Sequence, residues 1–355
     1  MTIARRTLLA TPPALLLSRV GRAAEPMAIG FVYTSPVGEA GWTFQHELGR
    51  RAVDKQYGGA VKTSYVENVS EGADSERVIR KLAADGNHLI FTTSFGFMNP
   101  TIKVAAAFPK TLFEHATGYK RADNVATYSA RFYEGRYLAG VVAGHISKSK
   151  VLGYVAAFPI PEVLQGINAF TLALRQVQPD AVVKVVFTSS WFDPGKERAA
   201  ADTLIAQGAD FLTHHTDSTA VVQAGEEKGV PTIGYNSDLS RFGPKTCMTS
   251  VTMDWTEYYV GRVKLALDNA WKPTDTWGGI KAGMVKMAPL SDAVPTAAAS
   301  DMQAKQADFM AGKLLPFTGP IKDQTGKERV PAGSSLADKD VLAMNWFVEG
   351  VQGKA

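Results

Sequence analysis

The sequence predicts an α/β fold of two similar lobes, each built on a parallel sheet, joined by a hinge. Three observations predict it. The chain has 355 residues, too many for one small core and well suited to two lobes. Short apolar runs alternate with stretches of helical period, the pattern of parallel strands joined by right-handed crossovers. The chain also repeats itself. Shifting residues 29–128 by 122 places Ala60-Val61-Lys62 on Val182-Val183-Lys184, Leu82 on Leu204, Gly86 on Gly208, Pro109 on Pro231 and Thr127 on Thr249. Identity is low, but a single register linking several elements marks a duplicated unit.

The elements follow in order. Ile29–Thr34 is a short apolar run, a strand buried on both faces. Residues 43–57 have helical spacing and stop at Tyr57-Gly58-Gly59. Val61–Val66 is a strand. Asp74–Ala84 is a helix with Val78, Ile79 and Leu82 on one face, ended by Gly86. His88–Thr93 and Thr111–His115 are strands. The second copy runs through Val151–Ala157, 163–177, Val182–Thr188, 195–207, Ala209–His214 and Thr232–Tyr235. A third region adds a helix over 256–271, a strand over Met284–Ala288, a helix over 292–313 and a hairpin turning at Asp323–Gly326. These last pieces cannot form a domain alone and are expected to return to the lobes. The expected division is 25–128 plus about 252–290 for the first lobe and 129–251 plus about 291–355 for the second, with the Rossmann-like character of each lobe set by its strand–helix alternation.

Charge and cysteine usage narrow the function. There are 38 Lys+Arg and 34 Asp+Glu, but Arg5, Arg6, Arg19 and Arg22 lie in residues 1–24, which hold no acid. Removing those four leaves 34 basic and 34 acidic residues, so no basic surplus remains and a nucleic-acid partner is not expected. Arg5-Arg6, an apolar middle and Gly21-Arg22-Ala23-Ala24 read as a cleavable export signal of twin-arginine type over residues 1–24. No cysteine stands near its end, so a lipid anchor has no attachment point, and a periplasmic location is expected. The one cysteine, Cys247, excludes an internal disulfide and a cysteine-based zinc site.

In open parallel sheets ligands bind beyond the C-terminal ends of the strands. The residues there are Tyr33, then Gly41-Trp42, then Phe95 and Phe97 in the first copy. In the second they are Trp191, Asp217, Tyr235, Asn236 and Asp238. Aromatic side chains mixed with a few hydrogen-bonding groups suit a flat ring held between rings, each stack worth about 1–3 kcal/mol. Asp217, Asn236 and Asp238 are the acceptors for ring N–H or amino hydrogens. The alternative roles are core plugs for the aromatics and helix caps for the Asp and Asn residues. Catalytic motifs are absent: there is no G-x-S-x-G, no phosphate-binding G-x-x-x-x-G-K-[ST] and no H-E-x-x-H. His214-His215 are adjacent on a strand and point to opposite faces, so a shared metal is not expected.

The chain resembles the basic membrane protein family of ABC-transporter substrate-binding proteins, which have the type I periplasmic-binding-protein fold. The resemblance covers about residues 27–352. It rests on Gly41-Trp42, on Phe132-Tyr133-Glu134-Gly135-Arg136-Tyr137-Leu138-Ala139-Gly140 and on Thr216-Asp217-Ser218-Thr219. It also rests on Gly234-Tyr235-Asn236-Ser237-Asp238 and on Phe317-Thr318-Gly319-Pro320-Ile321-Lys322-Asp323. It implies a solute receptor without catalysis or cofactor, a monomer, that delivers a purine-like small molecule to a membrane permease. Two departures shift the expected ligand. Gly41-Trp42-Thr43 stands where nucleoside-binding members tend to have Gly-Phe-Asn, and Asn236 stands where they tend to have Asp. A lost acidic acceptor weakens ribose recognition and the added indole favours a flat ring, so a free purine base is expected ahead of a nucleoside. A sensory ligand-binding protein and a nucleosidase are the competing readings.

Overall fold

Each lobe grows from short apolar strands that lie between two layers of helices, because their backbone groups pair within the sheet while both faces are closed to water. The computed structural model describes residues 25–354, so the expected export signal lies outside the described residues. The first lobe contains β1 (Met27–Val32), α1 (Trp42–Tyr57), β2 (Val61–Val66), α2 (Ala73–Ala84), β3 (Leu89–Thr92), α3 (Met98–Ala107), β4 (Leu112–Ala116) and β5 (Val125–Ala130). The second contains α4 (Phe132–Ile146), β6 (Val151–Ala156), α5 (Pro161–Val177), β7 (Val182–Phe187), α6 (Pro194–Ala206), β8 (Phe211–His215), α7 (Ala220–Lys228), β9 (Thr232–Asn236) and β10 (Cys247–Met253). Then come α8 (Thr256–Leu267), β11 (Asp275–Gly278), β12 (Val285–Met287), α9 (Thr296–Met310), the hairpin β13 (Ile321–Lys322) and β14 (Glu328–Val330), α10 (Asp338–Leu342) and β15 (Val351–Gln352).

The two large sheets run β2-β1-β3-β4-β5-β11 and β15-β7-β6-β8-β9-β10-β12. Their first five repeated strands therefore appear in the same order twice, which is the structural form of the internal repeat. All pairs are parallel except β10 with β12. The chain passes from one sheet to the other at Arg131, at Asp254-Trp255 and between β11 and β12. One expectation is corrected here. The sequence places the strand Met284–Ala288 in the first lobe with the rest of 252–290, but β12 pairs antiparallel with β10 in the second sheet, Val251 opposite Met287. From the first lobe's 252–290 segment, α8 packs on α1, where the Tyr57 hydroxyl donates to the Val260 carbonyl at 2.8 Å, and β11 pairs with β5.

Helix α4 carries the Phe132–Gly140 motif and is buried on almost every side. A helix without a polar stripe gives no amphipathic signal. Its glycine at 140 allows a backbone-to-backbone approach: a Cβ there would lie 2.2 Å from the Phe170 carbonyl oxygen of α5. The motif is thus largely a packing signature that seats the second lobe's first two helices against each other.

Candidate functional site

Loops at the C-terminal ends of both sheets face each other across a cleft. Between them lies a small cavity that opens to solvent at its mouth. The first lobe lines it with Thr34 after β1, Trp42 at the start of α1, Ser94 and Phe95 after β3 and Thr117 after β4. The second lobe supplies Glu162 from the first turn of α5, Trp191 after β7, His215, Thr216 and Asp217 at the end of β8, and Tyr235 and Asn236 at the end of β9.

Six of the nine residues singled out in the sequence are brought together here: Trp42, Phe95, Trp191, Asp217, Tyr235 and Asn236. Three are not. Tyr33 is fully buried and its hydroxyl donates to Glu47 Oε2 at 3.2 Å, inside the first lobe. Its neighbour Thr34 lines the cavity instead, as the alternation of an extended chain requires. Phe97 is also fully buried, in an apolar cluster with Val32, Ile79 and Val104, while Phe95 in the same turn faces the cavity. Asp238 is exposed, and its carboxylate accepts the Ser240 N–H at 3.0 Å in a local turn.

Trp42 and Trp191 are held from opposite lobes. The Trp42 indole N–H donates to the Thr93 carbonyl at 2.6 Å, and its ring meets His46 edge-on with centroids 4.3 Å apart. The Trp191 indole N–H donates across the cleft to Glu71 Oε1 at 3.1 Å, and Phe158 packs edge-on against the ring at 5.1 Å. Glu71 is itself fixed by the Ser94 hydroxyl at 2.6 Å.

A second set of bonds fastens the lobes beside the cavity. Asp217 Oδ2 accepts the Ser35 hydroxyl at 2.5 Å, and Oδ1 accepts the backbone N–H of Trp42. Asp217 therefore caps the free N-terminus of α1 from the other lobe, where Gly41 offers no capping side chain. Gly41 has φ of 98°, and a Cβ there would lie 2.5 Å from the Asp217 carbonyl oxygen, so only glycine permits this approach. Ser237 Oγ accepts the N–H of Gly41 and the amide of Gln45, both at 2.8 Å. Farther out, Arg241 reaches Glu39 at 2.9 Å.

Burial sets the charge of the site. Desolvation raises Asp217 to about 7 against the pull of Ser35 and Trp42, and raises Glu162 from 4.5 to about 8. His215 is pushed well below its ordinary 6.5 by burial, then by the nearby Arg136 charge and by His214, so it is neutral. Arg136 lies beneath the site, fully buried, its guanidinium 3.6 Å from the centroid of the Tyr235 ring. It donates to the His214 carbonyl at 2.5 Å and to the Thr213 hydroxyl at 3.2 Å. The Tyr235 hydroxyl in turn meets His215 Nε2 at 3.1 Å. Asn236 donates to Asp217 at 3.3 Å, but its side-chain oxygen has no partner. The site offers ring faces, neutral donors and acceptors and a free amide oxygen, and among the described residues no Lys or Arg lines it.

Glu162, His215 and Thr216 were not among the residues singled out. The Phe158-Pro159-Ile160-Pro161 loop pointed to the right strand end, and Glu162 is the next residue. In the sequence His214-His215 suggest only a metal pair, which their alternation disfavours. Their alternation places His215 on the cavity and turns His214 inward, its Nδ1 3.2 Å from the Thr216 hydroxyl.

The model of the family described as Bmp, ABC transporter substrate-binding protein PnrA-like, matches residues 27–324. A purine-binding protein of Brucella abortus (strain 2308) is 48% identical over 346 residues, covering 98% of this chain and 99% of that protein. A Haloferax volcanii protein named as an ABC transporter glucose-binding protein is 36% identical over 330 residues, covering 93% and 81%. Among solved structures, a solute-binding protein of an ABC transporter system from Aeropyrum pernix K1 superposes with a TM-score of 0.71 over 86% of this chain and 95% of that one, at 17% identity. One from Conexibacter woesei gives 0.64 over 81% and 97%, at 20% identity. At such identities the likeness speaks for the fold alone.

Proposed function

The chain belongs to the PnrA-like family of ABC transporter substrate-binding proteins, and from that premise we propose that its ligand is a purine base, held flat in the interlobe cavity and read at its edge by hydrogen bonds. Substrate-binding proteins of this kind capture a small molecule outside the cytoplasmic membrane and deliver it to a membrane permease. Catalysis has no part in that role. The observation that carries the ligand reading is the cavity wall: Trp42, Phe95, Trp191 and Tyr235 present rings, while the Asn236 amide oxygen stands without a partner. Flat faces with convergent neutral acceptors suit a heterocycle bearing N–H groups. Among the described residues the lining holds no Lys or Arg to pair with a phosphate, which argues against phosphorylated ligands. The Brucella relative named for purine binding supports the same class.

Closure follows from the latch. Ligand bound between the lobes adds its contacts to those of Asp217, Ser237 and Glu71, and the closed form is then the one presented to the permease. Micromolar affinity corresponds to about −8.2 kcal/mol, within reach of two stacked faces and a few hydrogen bonds. Export by the twin-arginine-type leader, a periplasmic site of action, a monomeric state and the lack of a lipid anchor complete the reading.

Thermal unfolding measured with purine and pyrimidine bases, nucleosides, glucose and amino acids tests it. A ligand at one hundred times its dissociation constant stabilises by about 2.7 kcal/mol. Free purine bases are expected to raise the melting temperature, and Trp42→Ala and Trp191→Ala each to weaken that response roughly tenfold or more. A response to glucose alone would move the ligand to the class named for the Haloferax relative, and a response to nucleosides without bases would return it to ribose-bearing purines.

A further inference from the structure

The purine reading leaves one cavity group without a role. Glu162 lines the cavity at the second residue of α5, and among the described residues its carboxyl makes no hydrogen bond. Its side chain is only 18% exposed. The titratable and charged groups around it are few. His215 of β8 comes within 3.7 Å through Nε2, and Tyr235 of β9 lies beyond it, bonded to the same nitrogen. Arg136 of α4 spends its bonds on Thr213 and the His214 carbonyl and lies against the Tyr235 ring, with no ion pair to Glu162. Asp217 is engaged in the interlobe latch. From the first lobe, Glu71 is occupied by Ser94 and Trp191, and the cavity residues Thr34, Trp42, Ser94, Phe95 and Thr117 carry no charge. A carboxylate sealed into this place by a neutral ligand would be an unpaired buried charge.

Resting on the purine reading, we propose that Glu162 determines specificity: as a carboxylic acid it pairs two bonds with a ring edge that carries an acceptor beside a donor, the N=C–NH2 edge of an aminopurine or the O=C–NH edge of an oxopurine. A protonated carboxyl presents one O–H donor and one carbonyl acceptor side by side, and such an edge is its complement. The free Asn236 oxygen accepts a further ligand hydrogen. Burial works in the same direction, raising Glu162 to about 8. The positive end of α5 opposes this by the smaller amount typical of a helix terminus. Ligands that present two acceptors, or none, to this edge leave the acid proton or its carbonyl unpaired and are rejected.

The test is calorimetric titration of the wild type, Glu162→Gln and Glu162→Ala with adenine, hypoxanthine and unsubstituted purine from about pH 5 to about pH 9, across the value to which burial raises Glu162. The wild type is expected to bind adenine or hypoxanthine roughly tenfold or more tighter than purine, and Glu162→Ala to lose that gap. Glu162→Gln, which keeps a donor and an acceptor without a titrating proton, is expected to bind across the range. Wild-type affinity is expected to fall relative to Glu162→Gln as the pH is raised, since binding then requires proton uptake. Comparison with Glu162→Gln removes the contribution of Asp217, which both proteins share. A gap that persists in Glu162→Ala, or parallel pH profiles in wild type and Glu162→Gln, overturns the role of Glu162 and leaves purine binding standing. Failure of the wild type to bind any of the three overturns the purine reading itself and this inference with it. Melting curves of the ligand-free variants separate loss of binding from loss of fold.

Discussion

Asp217 is placed where two demands on its proton conflict. Donors from Ser35, Trp42 and Asn236 favour the carboxylate, while burial between the lobes disfavours it, and burial wins, lifting the group from 3.8 to about 7. The closed form therefore holds a proton that an open, solvated Asp217 releases. The contribution to closure is full below about 3.8, is lost progressively as the pH rises to about 7, and does not change further above that. Asp217→Asn keeps the shape and an oxygen for the Trp42 N–H but has no proton to exchange. Tryptophan emission, which reports both Trp42 and Trp191 at the cleft, is expected to show the wild type opening between pH 4 and pH 7 and the variant staying unchanged over that range relative to it. Equal profiles would remove Asp217 as the source. Gly41 sharpens the same point, since alanine there would push against Asp217 and at φ of 98° is strained as well. Gly41→Ala is expected to lower ligand affinity while leaving each lobe folded, read by titration beside circular dichroism.

At the scale of elements, the return of α8 to the first lobe depends on a buried ion pair. Glu114 of β4 is fully buried and is bonded by Arg262 of α8, by the Tyr258 hydroxyl at 2.6 Å and by the Trp271 indole at 2.6 Å. All three donors come after the second interlobe crossing, so one carboxylate ties the third region to the first sheet. Removing a single partner of such a pair leaves the other charge buried alone, and Glu114→Ala is expected to destabilise the protein by about 3–5 kcal/mol in urea unfolding. A change below 1 kcal/mol would show that water or another acid replaces it. Much of the element pattern was legible in the sequence: the strands β1, β6 and β7 are largely apolar runs, and α2 has a clean apolar face. What was not legible has physical reasons. β5 reads Val-Ala-Thr-Tyr-Ser-Ala, too small and polar to announce a buried strand, and α4 lacks a stripe because it has no solvent side. In the site, Trp42, Asp217, Tyr235 and Asn236 could be found because they follow strand ends. Glu162 could not, because an acid in a helix's first turn ordinarily serves the helix dipole, and only its burial against an open cavity makes it something else.

The molecule as a whole carries two opposed sets of buried titrating groups. Burial lowers four histidines: His115 and His214 to about 3, and His46 and His215 well below 6.5. Each binds a proton more readily when unfolded, so the stability they confer is complete above about 6.5 and is lost as the pH falls below it. Burial raises Asp217 to about 7, Glu162 to about 8, and Glu114 and Glu134 above 4.5. These confer stability that is complete below about 4 and is lost as the pH rises through their raised values. Between the ordinary carboxyl and histidine values the two sets act against each other, four groups on each side. Below that window the histidine losses continue alone, joined by carboxylates that native partners hold low, such as Asp323 and Asp254. Above it only the raised carboxyls act, until Glu162 has titrated near 8. Thermal unfolding from pH 3 to pH 9 is therefore expected to give a broad maximum between about 4.5 and 6.5, a steep acid limb and a shallow alkaline decline that ends near 8 to 9. The variant Glu162→Gln is expected to flatten the upper part of that decline. Stability that rises steadily from pH 6.5 to 9 would mean that the buried carboxyls are not protonated in the folded protein, and both the closure argument for Asp217 and the selectivity argument for Glu162 would fall with it.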